Sequence, residues 1–342
     1  MKRKIFAAID VGSYELGMKI MEISPQRGMR ELEHIRHRLD LGTQSYKTGK
    51  LGYEKMEELC RVLKEYVAIM NSYKTDDYCA YGTSAIRELD NTLIVLDRIE
   101  RRTGVRINVL SNSEQRFLDY KSIAAKGEEF EKIIRDNTAV LDIGGGSIQI
   151  SLFEKSTLSA TQNLRLGVLR LHDLMRNIAP KPSQMQTILE EMVDNELSAF
   201  GKLYIKDKKI ENLILVDDYV SLVVKRLKGN DKQKGFISKS VFESSLEELR
   251  KRNTAEVARE LVIPEENVPL FFISALLLKG VLDITGADTI WAPGVSLCDG
   301  IAYDYAKENH LLPQFHDFEQ DIVSCAQSMI KRYQGSKKRS EA

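Results

Sequence analysis

Apolar positions along the chain alternate between a period of two and a helical stripe, and the switches between them divide the sequence into elements. The run Phe6-Ala7-Ala8-Ile9 ends in Asp10-Val11-Gly12-Ser13, and a second apolar run returns through Leu16-Gly17-Met18-Lys19-Ile20-Met21. That pattern predicts a strand, a tight turn and an antiparallel partner. Glu31 to Arg38 reads as a third strand, and Leu39 to Lys50 as a polar loop rich in Gly and Thr. Tyr53 to Tyr73 carries Met56, Leu59, Val62, Leu63, Val67 and Met70 on one helical face. A short strand at Tyr78 to Tyr81, a helix from Asn91 to Arg102 and a strand from Val105 to Leu110 follow. Ser111-Asn112-Ser113-Glu114 then has the form of a capping box that opens a helix through Tyr120.

The pattern begins again at Thr138. Thr138-Ala139-Val140-Leu141-Asp142-Ile143 is an apolar strand ending in an aspartate, Gly144-Gly145-Gly146-Ser147 is a turn, and Ile148 to Phe153 returns. Leu164 to Leu171 reads as a strand running into a helix. Helices are expected over Pro182 to Leu203, Ser238 to Arg250 and Val268 to Thr285, with strands at Leu213 to Val216 and Ile290 to Gly294. Closing helices are expected at Asp299 to Glu308 and Phe318 to Tyr333, the last with its apolar stripe on Ile322, Ala326, Met329 and Ile330. Repetition at this scale points to a duplicated unit. The order β-β-β-α-β-α-β in each half is that of the ribonuclease-H-like lobe shared by actin and sugar kinases, so the expected fold is α/β: two duplicated actin-like lobes (the ASKHA superfamily) with a cleft between them. The expected boundaries are lobe one at 1–124, lobe two at 125–310, a closing helix at 311–334 that packs back on lobe one, and a disordered tail at 335–342.

Chemistry concentrates in the two turns. Successive glycines let backbone N–H groups converge on an anion, and an aspartate at the strand end is placed to hold a hard cation beside it. A lone hairpin with a solvated aspartate explains one such stretch; it explains Asp10 and Asp142 together poorly. Composition adds bounds: 342 residues suffice for two domains, with 43% hydrophobic and 29% charged residues. Fifty basic and fifty acidic residues cancel, so no global field recruits nucleic acid or an anionic membrane, and a polyanion needs a local site. Cys60, Cys79, Cys298 and Cys325 show no metal or redox spacing and read as reduced thiols. Leu270 to Leu278 is too short to span a bilayer, and a cytoplasmic protein without a membrane segment is expected.

Taken in order, Ala8-Ile9-Asp10-Val11-Gly12-Ser13, Gly82-Thr83-Ser84-Ala85-Ile86-Arg87-Glu88 with Asn91, Val109-Leu110-Ser111, Asp142-Ile143-Gly144-Gly145-Gly146-Ser147 and Leu166-Gly167-Val168-x-Arg170-Leu171 resemble the exopolyphosphatase/guanosine-pentaphosphate phosphohydrolase (Ppx/GppA) family. The chain resembles a short two-domain form of it. The resemblance implies Mg²⁺- or Mn²⁺-assisted hydrolysis of a terminal phosphoanhydride in polyphosphate or guanosine pentaphosphate, with the tetraphosphate as a related ligand, and a homodimer. It further implies that Gly12, Ser13, Tyr14, Arg87, Gly144, Gly145, Gly146 and Ser147 hold phosphate, and that Asp142 and Asp10 face the metal. By the same register, catalysis involves Asp142 together with the positions of Glu114, Gln115 and Gln149.

The departures fall on those positions. The family's S-G-x-E-E-A is here Ser111-Asn112-Ser113-Glu114-Gln115-Arg116, so Gln115 stands where the general base is expected. An amide does not take up the proton. Glu114 is one residue away, about 100° round a helix, and is the fourth member of the capping box. The family's G-G-G-S-T-E ends here in Gln149, Tyr14 replaces an Asn, and a glycine turn in lobe two reads Val216-Asp217-Asp218-Tyr219. The late L-R-x-G pattern reads Leu297-Cys298-Asp299-Gly300. Three functions are compatible with this set: a weak phosphoanhydride hydrolase, a catalytically impaired relative that senses polyphosphate or a phosphorylated nucleotide, and an ATP-using protein of the wider actin-like fold.

Overall fold

The computed structural model describes residues 3–178, 182–206, 208–216, 220–221, 224, 235–314 and 316–332. The expected change at Asp217-Asp218-Tyr219 and the expected tail at 335–342 lie outside the described residues. The chain divides into two compact units: one runs up to Ala125 and takes back Val295–Gln314, and the other holds Lys126–Gly294 and the described residues from 316.

The first unit is a five-stranded sheet in the order β3-β2-β1-β4-β5, formed by β1 (Lys4–Val11), β2 (Glu15–Ser24), β3 (Gly28–Arg38), β4 (Asp77–Gly82) and β5 (Ile107–Val109). β1 pairs antiparallel with β2 and parallel with β4. Helices α1 (Leu41–Thr48), α2 (Tyr53–Ser72), α3 (Ser84–Arg87), α4 (Thr92–Thr103) and α5 (Asn112–Ala124) intervene. Alternation in β1 decides which layer each residue serves. Ala7, Ile9 and Val11 join Leu59, Leu63 and Tyr66 of α2 in one cluster, while Phe6 and Ala8 join Ile301 and Tyr305 in another.

The second unit is a six-stranded sheet in the order β10-β11-β9-β6-β7-β8. Its strands are β6 (Thr138–Ile143), β7 (Ile148–Glu154), β8 (Thr157–Leu164), β9 (Asn212–Val216), β10 (Phe236–Ser238) and β11 (Thr289–Trp291). Its helices are α6 (Glu128–Ile133), α7 (Val168–Ile178), α8 (Pro182–Phe200), α9 (Lys239–Arg250), α10 (Thr254–Leu261), α11 (Val268–Thr285) and α13 (Phe318–Arg332), while α12 (Leu297–Glu308) belongs to the first unit. Setting aside the added edge strand β10, the order β8-β7-β6-β9-β11 repeats β3-β2-β1-β4-β5 with the same parallel and antiparallel pairings. This is the duplicated ribonuclease-H-like architecture of the actin-like fold. The repeat extends to atoms: the Gly12 N–H donates to the Glu15 carbonyl at 3.1 Å, and the Gly144 N–H to the Ser147 carbonyl at 3.0 Å.

Several expectations are corrected. The segment read as a polar loop contains α1. Asp40 caps it from a left-handed conformation (φ 49°) and accepts the Thr43 N–H at 3.3 Å. The Ser13 carbonyl accepts the Gly42 N–H at 2.7 Å, so the helix start is satisfied by backbone from the first hairpin. Helix α12 packs on α5 and β1 in the first unit rather than in lobe two, with the Tyr305 ring stacked on Phe6 at 4.0 Å. The final helix packs on the edge strand β8 of the second unit, not on lobe one. Its buried face is Phe318, Asp321 and Cys325, while Ile322 and Met329 are exposed. Asp321 turns inward because its carboxylate accepts the Leu158 N–H at 3.2 Å and contacts His316 Nε2 at 2.6 Å. The greasy segment is longer than the sequence suggested: Glu265–Thr285 is, by length and composition, able to cross a membrane, but it is 72% buried inside the protein as a core helix.

Among the described non-glycine residues at positive φ, Val262 is the β-branched one. Val262 ends α10 in the left-handed region (φ 54°, ψ 49°) with its side chain exposed. A β-branched residue is poorly suited there, whereas glycine adopts that conformation without a Cβ clash. Val262→Gly is expected to stabilise the second unit by about 1 kcal/mol, net of the glycine's unfolded-state entropy. Denaturant titration checks this, and an unchanged or lower midpoint would show that the strain is absent.

Candidate functional site

In the first unit the hairpin between β1 and β2 sets the site. Asp10 is the penultimate residue of β1 and lies opposite Gly17. Ser13, at the turn, is buried, as is Ser84 at the start of α3. Their hydroxyls are 2.9 Å apart, and the phenol of Tyr46, from α1, lies 2.5 Å from Ser13 Oγ and 2.7 Å from Ser84 Oγ. The Tyr14 carbonyl accepts the N–H groups of Leu39 and Asp40 at 3.0 and 2.8 Å, and its ring lies under the Arg38 guanidinium. Tyr14 therefore supports the turn through its backbone.

Arg87 closes α3 and is half-buried. Its Nη1 donates to the Leu110 carbonyl at 2.6 Å and reaches Gln115 Oε1 at 3.5 Å. Burial lowers its pKa from the ordinary arginine value, with Glu88 pulling the other way. Beyond the charge of Glu88 beside it, Arg87 makes contacts that lead to Gln115. Glu114 points elsewhere: its Oε2 accepts the Ser111 N–H at 2.8 Å while the Glu114 N–H donates to Ser111 Oγ at 3.2 Å. These bonds hold its carboxyl below the usual carboxylate range, which suits a cap and weakens a base. One helical step thus separates a structural carboxylate from the residue beside the arginine.

In the second unit, Asp142 lies opposite Gln149 across β6 and β7, and its Oδ2 accepts Gln149 Nε2 at 3.3 Å. Gln149 is buried, and a carboxylate at that position would have no hydrogen to donate. The glycine turn is oriented by α7. The carbonyls of Gly144, Gly145 and Gly146 accept Val168 N–H at 3.1 Å, Leu169 N–H at 3.0 Å and Arg170 Nε at 2.7 Å. A trans peptide puts its N–H opposite its C=O. The amides of Gly145, Gly146 and Ser147 are therefore turned away from α7, three successive donors on one side, the arrangement that receives an anion. Gly167 makes this close approach feasible, since a Cβ there would stand 2.2 Å from the Gly145 carbonyl oxygen.

The expected residues thus gather as two sets, one in each unit: Gly12, Ser13, Tyr14, Arg87, Gln115 and Asp10 in the first, and Asp142, Gly144, Gly145, Gly146, Ser147 and Gln149 in the second. Sequence reasoning missed Tyr46, because it lies in the segment read as a loop. It also did not assign the orienting role of Arg170. Among the described residues no three His, Cys, Asp or Glu side chains gather into a metal-binding group. Asp142 at the end of β6, beside the glycine turn, is a single carboxylate of the kind a magnesium-type ion takes when phosphate oxygens and water complete its shell.

Comparison with known proteins bears on these sets. The profile of the Ppx/GppA phosphatase family matches residues 19–309. A bifunctional 3-dehydroquinate synthase/phosphatase of Fusobacterium nucleatum is 25% identical over 171 residues, covering 48% of this chain and 25% of that protein. Exopolyphosphatase 1 of Mycobacterium leprae is 26% identical over 191 residues, covering 56% of this chain and 55% of that protein. The match therefore spans no more than about half the length of these relatives. The crystal structure of an exopolyphosphatase from Cytophaga hutchinsonii superposes with a TM-score of 0.76 at 19% identity, covering 92% of this chain and 100% of that one, a likeness of fold.

Proposed function

The chain belongs to the Ppx/GppA phosphatase family, and from that membership we propose that it binds the terminal phosphates of polyphosphate or guanosine pentaphosphate and hydrolyses them slowly. The observation that carries the binding half is the anchoring of the Gly144, Gly145 and Gly146 carbonyls on α7, which by trans-peptide geometry turns the Gly145, Gly146 and Ser147 amides the other way. Ser13 and Arg87 supply the hydroxyl and cationic donors of the first unit. Hydrolysis breaks the terminal P–O–P bond as a water oxygen attacks the terminal phosphorus. That water loses a proton in the process. Gln115 is able to orient the water through its amide oxygen but not to accept the proton, so the proton passes to a phosphoryl oxygen of the substrate. Asp142 in the second unit is the side chain that would hold Mg²⁺ or Mn²⁺, with Asp10 its counterpart in the first, and such an ion when bound would neutralise charge on the phosphoryl oxygens.

Arg87→Ala removes a charge-assisted contact and is expected to weaken tripolyphosphate binding about 10- to 100-fold. Calorimetry at fixed ionic strength checks it, and unchanged affinity would remove Arg87 from the site. The proposed activity is tested by phosphate release from medium-length polyphosphate with Mg²⁺, against a denatured control. Release at the control level would leave the second reading, a sensor that binds without turnover. That reading is favoured by Glu114 being committed to the α5 cap, while the α5 side chain that meets Arg87 is the amide of Gln115. The four thiols are free, which accords with a reducing compartment such as the cytoplasm.

A further inference from the structure

The hydroxyls of Ser13, Ser84 and Tyr46 form a closed triangle with edges of 2.5, 2.7 and 2.9 Å. Each hydroxyl owns one proton and two lone pairs. Three contacts among three hydroxyls consume all three protons, so the closed ring shows lone pairs outward. A phosphoryl group offers only acceptors and meets the ring with the wrong polarity. It binds only if at least one O–H leaves the ring and turns outward.

We propose that Tyr46 is a positioning residue that gates the phosphate site of the first unit, holding Ser13 and Ser84 in a closed hydroxyl ring that a phosphoryl oxygen must open. The inference rests on the proposed phosphate reading of Ser13 and adds the residue that sets its affinity. Phenols are better proton donors than alcohols, and Tyr46 makes the shortest edge with Ser13, so its proton is assigned to Ser13 Oγ. The Ser13 proton then goes to Ser84 and the Ser84 proton to Tyr46. Both serines are buried, so water does not readily replace a lost ring partner. Tyr46 reaches them from α1, the helix whose start is held by the Ser13 and Tyr14 carbonyls, so the gate and the turn move as one local structure.

The test is calorimetric titration with tripolyphosphate of the full chain, in wild type, Tyr46→Phe, Ser13→Ala and the double variant. Removing the phenol oxygen leaves two serines sharing one contact and frees a hydroxyl proton for the anion. Tyr46→Phe is expected to bind about two- to tenfold more tightly. The gain should vanish in the Ser13→Ala background, which a merely structural role for the tyrosine would not produce. In wild type, ligand should also perturb a tyrosine absorption band, and Tyr46→Phe should lose that signal. Equal or weaker binding by Tyr46→Phe, with wild type binding normally, overturns the gate and leaves the phosphate reading standing. A gain that persists without Ser13 overturns it as well. If neither wild type nor Tyr46→Phe binds tripolyphosphate, the phosphate reading falls and the gate with it.

Discussion

Gln115→Glu is expected to raise Mg²⁺-dependent phosphate release from polyphosphate by about 10²–10⁴-fold, the ordinary contribution of a positioned general base. The geometry is already in place. Gln115 lies one helical step beyond the cap residue Glu114, and its side-chain oxygen is 3.5 Å from Arg87 Nη1. A carboxylate at that position keeps the contact with the guanidinium and adds a proton acceptor. The positive charge of Arg87 favours the ionised form, so the new glutamate is a base at neutral pH. The matched control is Glu114→Gln. It removes the carboxylate of the α5 first turn but keeps the capping box, since a glutamine oxygen accepts the same N–H, and is expected to cost about 0.5 kcal/mol through the lost helix-dipole interaction, without abolishing slow turnover. A drop to background in Glu114→Gln, or no rise in Gln115→Glu, would place the base elsewhere.

The second large effect is on stability. Gly300→Ala is expected to destabilise the first unit by about 3 kcal/mol or more. Gly300 lies on α12 against α5, and a Cβ there would stand 1.9 Å from the Leu118 carbonyl oxygen and 2.7 Å from its carbon. Both obstructing atoms are backbone, so no rotamer change relieves them and the two helices must separate. Separation also strains the Lys121–Asp304 ion pair and the stacking of Tyr305 on Phe6. In a thermal scan the transition of the first unit should fall by about 6–12 °C. Gly201→Ala is the comparison, because its nearest neighbour would be Ile284 Cβ at 3.9 Å. Equal melting of the two variants would mean that α12 and α5 do not pack this closely.

The two hairpins show how far local pattern reaches. Asp10 and Asp142 each follow an apolar run and precede a glycine two residues on, and each proves to be the penultimate residue of its strand. Strand, turn and return are properties of neighbours in sequence, so the duplication was legible from periodicity and turn residues. The capping box at Ser111 and Glu114 was legible for the same reason, since both partners lie within one helical turn. It also identified the role of Glu114 before any distance was known. The phase of the final helix was not legible. Its apolar residues suggest burial of Ile322 and Met329, but an inward carboxylate at Asp321 that satisfies an N–H of the edge strand rotates the helix the other way.

What the sequence determined by itself is therefore the two strand pairs β1–β2 and β6–β7, the repeated turn chemistry and the amide at position 115, while β8 and β10 escaped it. The tertiary structure alone decided that a polar stretch becomes α1, because the distant Ser13 carbonyl accepts an N–H of its first turn and the Tyr14 carbonyl holds the residues that lead into it. It decided that α12 returns to the first unit, because a glycine on it admits the backbone of α5. It also decided the direction of the glycine-turn amides, because the start of α7 captures the carbonyls on their other side. Each of these depends on a hydrogen-bond partner or a contact surface supplied from elsewhere in the chain, and periodicity along one segment holds no information about a partner it does not contain.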